Sequence, residues 1–246
     1  MKAYLLTIFL LAASFNIVNA QYSLFVKDDK YRLEQLPTVA KEKQLSKYDF
    51  SKLFTYTDNS SVYGFIGSNY QRIRIKFISV TKDSLMQDTY NVYGKSMVKG
   101  NIDEFNGTIV ITKIFKQKAM SYGVDDEYKN KGFKGEFILS GFYILAENKE
   151  QNHTGIFKGT FRSAFYLDRK NIVHYDDIDN DSDGYTNNLF AGNWTDYKTQ
   201  LSKKCNWGDY RIPDSGDLDV GAGDFSPDEK YVKYGWQAIR NNKWWK

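Results

Sequence analysis

Residues 71–80 read QRIRIKFISV. Ile73, Ile75 and Phe77 fall on one side, and Arg72, Arg74 and Lys76 on the other. A period of two with one apolar and one charged side belongs to a half-buried antiparallel strand. The same rhythm runs through TYNVYGKSMV (89–98), FNGTIVITKIF (105–115), FKGEFILSGFYILA (133–146) and TGIFKGTFRSAFYLD (154–168). Turn-forming clusters separate these stretches: TKDSLMQD, KGNIDE and ENKEQNH. With VYGFIG (62–67), NLFAGNWTDY (188–197) and KKCNWGDYRI (203–212) the count reaches about eight strands. Their order predicts a mainly β fold, an antiparallel up-and-down β-barrel over 59–246.

A short repeat supports closure. Phe105-x-Gly107-x-Ile109, Phe133-x-Gly135-x-Phe137, Phe157-x-Gly159-x-Phe161 and Phe190-x-Gly192-x-Trp194 share the form aromatic-x-Gly-x-apolar. Strand side chains alternate, so the marked positions of each copy face one way. Glycine there leaves room for rings on neighbouring strands or lets the strand coil as a barrel requires.

Around this block lie three other segments. Residues 1–20, MKAYLLTIFLLAASFNIVNA, carry a basic start, an apolar run and a small-residue end, the pattern of a secretory signal peptide. Residues 21–58 form an N-terminal segment, helical or irregular, that packs on the barrel, with Phe50, Leu53 and Phe54 at helical spacing. Near the end, SPDEKYVKYGWQAIRNN predicts a C-terminal helix over about 227–241, with Ser226 as N-cap, Glu229 closing a capping box and Val232, Trp236 and Ile239 as its apolar stripe.

Export sets the expected setting, periplasmic, extracellular or associated with the envelope. No later stretch is long and apolar enough for a transmembrane helix. Removing 1–20 takes away one lysine, so the formal charge falls from +4 to +3. That balance, with basic residues dispersed along the chain, gives no case for nucleic acid. Cys205 is the single cysteine, so stability rests on packing without an internal disulfide; the thiol is either buried in a strand or free to react.

Long antiparallel strands with Gly-x-aromatic elements, followed by a C-terminal helix, resemble the calycin-type barrels, the lipocalins and avidins. Gly192-Asn193-Trp194 is similar to the lipocalin Gly-x-Trp, although in that family the element sits on the first strand and here it falls near the end. The block CNWGDYRIPDSGDLDVGAGDFSPDEKYVKYGW (205–236) also resembles exported bacterial β-barrel proteins of uncharacterised role. The resemblance implies an architecture and transfers no activity.

For chemistry, DNDSDG (179–184) places Asp179, Asp181 and Asp183 at alternate positions closed by Gly184. Calcium takes six to eight oxygens, and three carboxylates on a tight turn, joined by the Tyr185 carbonyl and Asn187, point to a structural calcium site. Phe190 stands where an EF-hand has its bidentate glutamate, and the flanks read as strands, so this is no EF-hand. The competing reading is a solvated acidic turn. PDSGDLDVGAGD (213–224) is a second acidic, glycine-rich loop and lacks the lysine of a P-loop. Only His153 and His174 are present, and no catalytic motif appears. A Cys205/His174 dyad and a hydrolase using paired carboxylates stay open.

Tyr93, Tyr143, Trp194, Trp207 and Tyr210, near strand ends, are the candidates to stack on a sugar or line an apolar cup. The first expectation is therefore an exported, non-enzymatic protein binding a small molecule or glycan at the barrel mouth. The alternative is a protein-interaction module, an envelope component or toxin-protective inhibitor, with a filled barrel as scaffold. A cavity favours the first and wall-to-wall aromatic rings the second.

Overall fold

The computed structural model describes residues 36–237 and 243–246. Residues 1–35, which include the expected signal segment 1–20, and Ile239 therefore lie outside the described residues. Nine strands form one antiparallel sheet: β1 (Val62–Ile66), β2 (Gln71–Lys82), β3 (Thr89–Val98), β4 (Asn101–Lys116), β5 (Gly135–Glu147), β6 (Gly155–Leu167), β7 (Val173–Tyr175), β8 (Asn187–Asp196) and β9 (Ser202–Asp209). Each pairs with the next, except that β8 passes over short β7 to join β6, and β9 closes on β1. The result is a closed eight-stranded up-and-down barrel with β7 as an appendage on β6.

The alternation in β2 reads out as expected. Ile73, Ile75 and Phe77 are buried inside, and Arg72, Arg74 and Lys76 take the outer face. Bulges interrupt the ladder at Phe77/Ser79 in β2 and at Ile111/Lys113 in β4, where one extra residue bends a long strand around the barrel.

The interior is filled over most of its length. Phe190 stacks on Trp207 with centroids 4.9 Å apart, Tyr143 meets Trp207 edge-on at 5.0 Å, and Phe77, Phe105, Phe157 and Phe161 complete the packing. The glycine repeat makes room for these rings. A Cβ on Gly159 or Gly192 would come within 2.7 or 2.6 Å of the Tyr143 hydroxyl. The copy at 133–137 is the exception, because Phe133 precedes β5 and packs outside on Tyr128 and Tyr166.

One end of the barrel is stoppered by the N-terminal segment. Helix α1 (Lys41–Lys47) is followed by a 3-10 turn at Ser51–Thr55 that drives Phe50, Leu53 and Phe54 inward. Phe54 contacts Phe161 edge-on at 5.5 Å, and Phe50 lies 5.0 Å from Phe165. The segment thus supplies core as well as covering it. The longer connections lie at this stoppered end, whereas the opposite end carries the short turns 67–70 and 99–100 with the turns 148–154 and 197–201.

The C-terminal helix is corrected to a strap. Residues Glu229–Tyr234 form a 3-10 helix capped by Asp228, not Ser226, whose carboxylate accepts from Lys230 N. Gly235, at φ 99°, ends it in a left-handed turn. The apolar logic survives in Trp236, buried against Phe225 in a second small core with Phe65, Ile212 and Leu218 on the outer side of β1.

Candidate functional site

At the open end the ring packing stops below the rim. A cup of about 780 Å³ remains, floored by Ile73, Phe157 and Trp194 and walled by Ser96, Asp103 and Glu147. Lys99, Lys203, His153, Asn69 and Asp196 stand higher around it. Strand register produces the arrangement: Phe105 of β4 faces Glu147 of β5, so Asp103, two residues earlier, projects on the same side one step nearer the rim.

Glu147 is the fixed element. Its Oε1 accepts from Ser96 Oγ at 2.5 Å, and its Oε2 from Trp194 Nε1 and Gly155 N, both at 2.8 Å. Burial pushes its carboxyl above the ordinary range, and these three donors pull against that. Asp103 accepts from Asn101 Nδ2 at 2.6 Å; burial raises it too, with His153 opposing. The cup therefore holds two inward carboxylates beside an indole and a phenyl ring, under a rim of lysines. It can hydrogen-bond hydroxyl groups while covering an apolar face.

Of the five aromatic candidates, the fold brings only Trp194 to the cup. Tyr143 and Trp207 are fully inside the packed core, out of a ligand's reach. Tyr93 points outward from β3, on the side away from buried Val92 and Gly94, and pairs in register with Asn106. Tyr210, at φ 65° just past β9, packs against Tyr185 at the stoppered end. Sequence reading missed Asp103 and Glu147, yet the signal was present, since both carboxylates fall in phase with Phe105 and Leu145 on the apolar side of their strands.

The loop 179–184 forms consecutive turns on the outside of the barrel, with Gly184 at φ 74°. Asp179 accepts from Ser121 Oγ at 2.6 Å, while Asp183 leans on Gly223 of the second acidic loop. Asn187 uses both ends of its side chain within the protein: its Oδ1 accepts from Ala164 N and Asn188 N, both at 2.7 Å, and its amide donates to Ala164 O and Asp176 O. Tyr185 turns its hydroxyl to Asp176 O. Among the described residues no group of three His, Cys, Asp or Glu side chains is arranged around one cation position.

Beside this loop a cleft of about 420 Å³ contains Glu136, Asp176 and Asp179. Burial raises Glu136 to about 8, with Asp176 adding, and raises Asp176 to about 6. The second acidic loop is organised by a side chain of the protein itself. Arg211 donates to Asp219 Oδ2 at 2.7 Å, to Gly221 O at 2.9 Å, to Ala222 O at 3.0 Å and to Gly223 O. Asp217 pairs with Lys230 at 2.7 Å.

The Cys205/His174 dyad is excluded by the barrel wall. Cys205 is fully buried inside, where burial drives its thiol well up. His174 stands outside on β7, stacked on Tyr166 at 4.9 Å and bonded to Asp168 at 3.1 Å.

No protein-family model matches the chain, and no curated protein or solved structure matches it either. The class rests on the fold: a closed antiparallel barrel with one stoppered end and one open cup. Among the described residues no helix is long and apolar enough to cross a membrane.

Proposed function

We propose that the chain is a non-enzymatic binding protein holding a small hydroxyl-bearing molecule, a sugar or a glycan end, in the cup at the open end. The single observation behind this reading is the volume of about 780 Å³ left above a core that is otherwise filled with rings. That size suits a ligand of one or two sugar rings, and sites of this kind combine an apolar surface with a few placed polar groups. Asp103 offers acceptor capacity to hydroxyls, Lys99 and Lys203 offer donors, and Phe157 and Trp194 offer the apolar floor. A cup on a closed barrel also fits the calycin-like architecture expected above. Export by residues 1–20 would put the cup in the periplasm or outside the cell.

Titration calorimetry against a panel of mono- and disaccharides tests this, with the Trp194 indole N–H followed by NMR. Binding should weaken at least tenfold in Asp103→Asn. A panel that leaves the indole signal unmoved at saturating sugar would overturn it. Product analysis of the same mixtures separates binding from hydrolysis by the paired carboxylates.

The filled interior favours a second reading, a protein-interaction module whose loops recognise an envelope component or a secreted toxin. Pull-down from an envelope fraction with the cup variant Asp103→Asn distinguishes the two, because loop recognition would survive that change. A structural calcium on the loop Asp179–Gly184 is a separate proposal. It requires Asp181 and Asp183 to turn towards Asp179, and it predicts a melting temperature that rises with calcium and falls with chelator.

A further inference from the structure

Charge is distributed unevenly over the wall of the cup. Asp103 on β4 and Glu147 on β5 are 6 % and 5 % exposed, whereas Lys99, His153 and Lys203 are exposed at the rim. The β3–β4 register sets Ser96 beside Asp103, and Ser96 Oγ donates to Glu147 Oε1, so the two carboxylates flank one hydroxyl. The negative charge of Asp103 adds to the upward push on the Glu147 carboxyl, as expected of near neighbours.

Lys203 stands across the barrel from them. Going round the closed sheet as β4, β3, β2, β1, β9, four steps carry Asp103 to the strand of Lys203, half of the eight-stranded ring. In the β8–β9 register Lys203 pairs with Trp194, and its Nζ lies 5.5 Å from the indole centroid. The aromatic floor therefore already accepts a cation on one side and meets the acidic wall on the other, where Trp194 Nε1 donates to Glu147.

Buried charges act with little screening, while exposed lysines are screened by solvent. The lower cup is thus a negative pole beside ring faces. Glu147 is held by three donors and supplies field. Asp103 supplies the contact: its Oδ2 accepts from Asn101 Nδ2 at 2.6 Å, which uses one oxygen and orients the carboxyl. An ammonium placed there gains a charge-assisted hydrogen bond, and the adjoining rings favour it further. A hydroxyl or an amide in the same place gains the hydrogen bond without the charge.

We propose that the ligand of the cup is an amino sugar, with its ring on the floor of Phe157 and Trp194 and its protonated amine on Asp103. The assignment rests on the cup being a sugar site and narrows the class of sugar.

The test is calorimetry on the full chain at about pH 6.5, below the ordinary range of such amines. The probes are glucosamine, glucose and N-acetylglucosamine, each alone and as its cellobiose-type dimer. Acetylation keeps the ring and removes the charge. Glucosamine or its dimer should bind at least tenfold more tightly than the matching neutral sugars. Asp103→Asn should bring that ratio close to one. Glu104→Gln is the same charge change on the outward neighbour, which pairs with Lys95 outside the barrel, and it should preserve the ratio. The wild-type titrations carry the test if Asp103→Asn is unstable. A neutral sugar that binds as tightly as glucosamine, or a ratio that survives Asp103→Asn or falls equally in Glu104→Gln, overturns the inference and leaves the cup a sugar site. No heat and no shift of the Trp194 indole signal with any of these sugars overturns the sugar site itself, and the inference with it.

Discussion

Asp209 gives the sharpest test of how the stoppered end is held. Its Oδ2 accepts from Thr57 Oγ1 at 2.7 Å, Asn188 Nδ2 at 2.8 Å and Tyr175 OH at 2.9 Å, and the same Asn188 amide also donates to Leu53 O at 2.8 Å. The carboxyl therefore links the stopper to β7, β8 and β9. Burial raises it from 3.8 to about 7, against the pull of these donors. A raised carboxyl means that the folded state binds the proton more tightly than the unfolded chain. Its contribution is full below about pH 4, falls as pH rises, and is lost above about pH 7. A shift of about 3 units corresponds to about 4 kcal/mol. Asp209→Asn keeps an acceptor oxygen for the three donors and cannot ionise. Urea unfolding followed by tryptophan fluorescence at pH 4.5 and 8.5 should show the wild type losing about 3 kcal/mol more than the variant, because the unfolded carboxyl is already largely ionised at pH 4.5. Glu136 and Asp176 also titrate in that window, but they do so in both proteins and cancel in the comparison. Equal losses, to within about 1 kcal/mol, would refute the assignment of Asp209 as a buried, raised carboxyl.

Other substitutions probe the core and the outer loops. Tyr143→Phe removes a buried hydroxyl that has no hydrogen-bond partner, so equilibrium unfolding should show a gain of about 1 kcal/mol. In Gly192→Ala the new Cβ would lie 2.1 Å from Lys158 O, and stability should drop by about 3 kcal/mol in the same assay. Arg211→Gln removes the charge around which loop 213–224 is folded; limited proteolysis should cut that loop faster, with a stability cost of about 3 kcal/mol. Cys205 should resist a thiol reagent in the native protein and react fully in urea, because it is 0 % exposed.

The barrel was legible because its determinants are local. A two-residue rhythm fixes which side of each strand is apolar, and the turn clusters between strands fix their number and alternating direction; QRIRIKFISV alone separates Ile73, Ile75 and Phe77 from Arg72, Arg74 and Lys76. Glycine spacing likewise announced the crowding around Tyr143. What the rhythm does not contain is depth along the barrel axis. Trp194, Tyr143 and Trp207 read alike as inward aromatics, yet only Trp194 reaches the cup, because strand register and tilt set how far each lies from the rim. The same holds for Asp103 with Glu147, which are joined by strand pairing across residues distant in sequence. The helix expected at the C-terminus shortened to a 3-10 strap because Gly235 turns left-handed and Trp236 is drawn into the core outside β1. Residue alternation decides inside from outside, since it is a property of the extended backbone; closure of the sheet decides which inside residues meet solvent, since that depends on contacts between strands far apart in the chain.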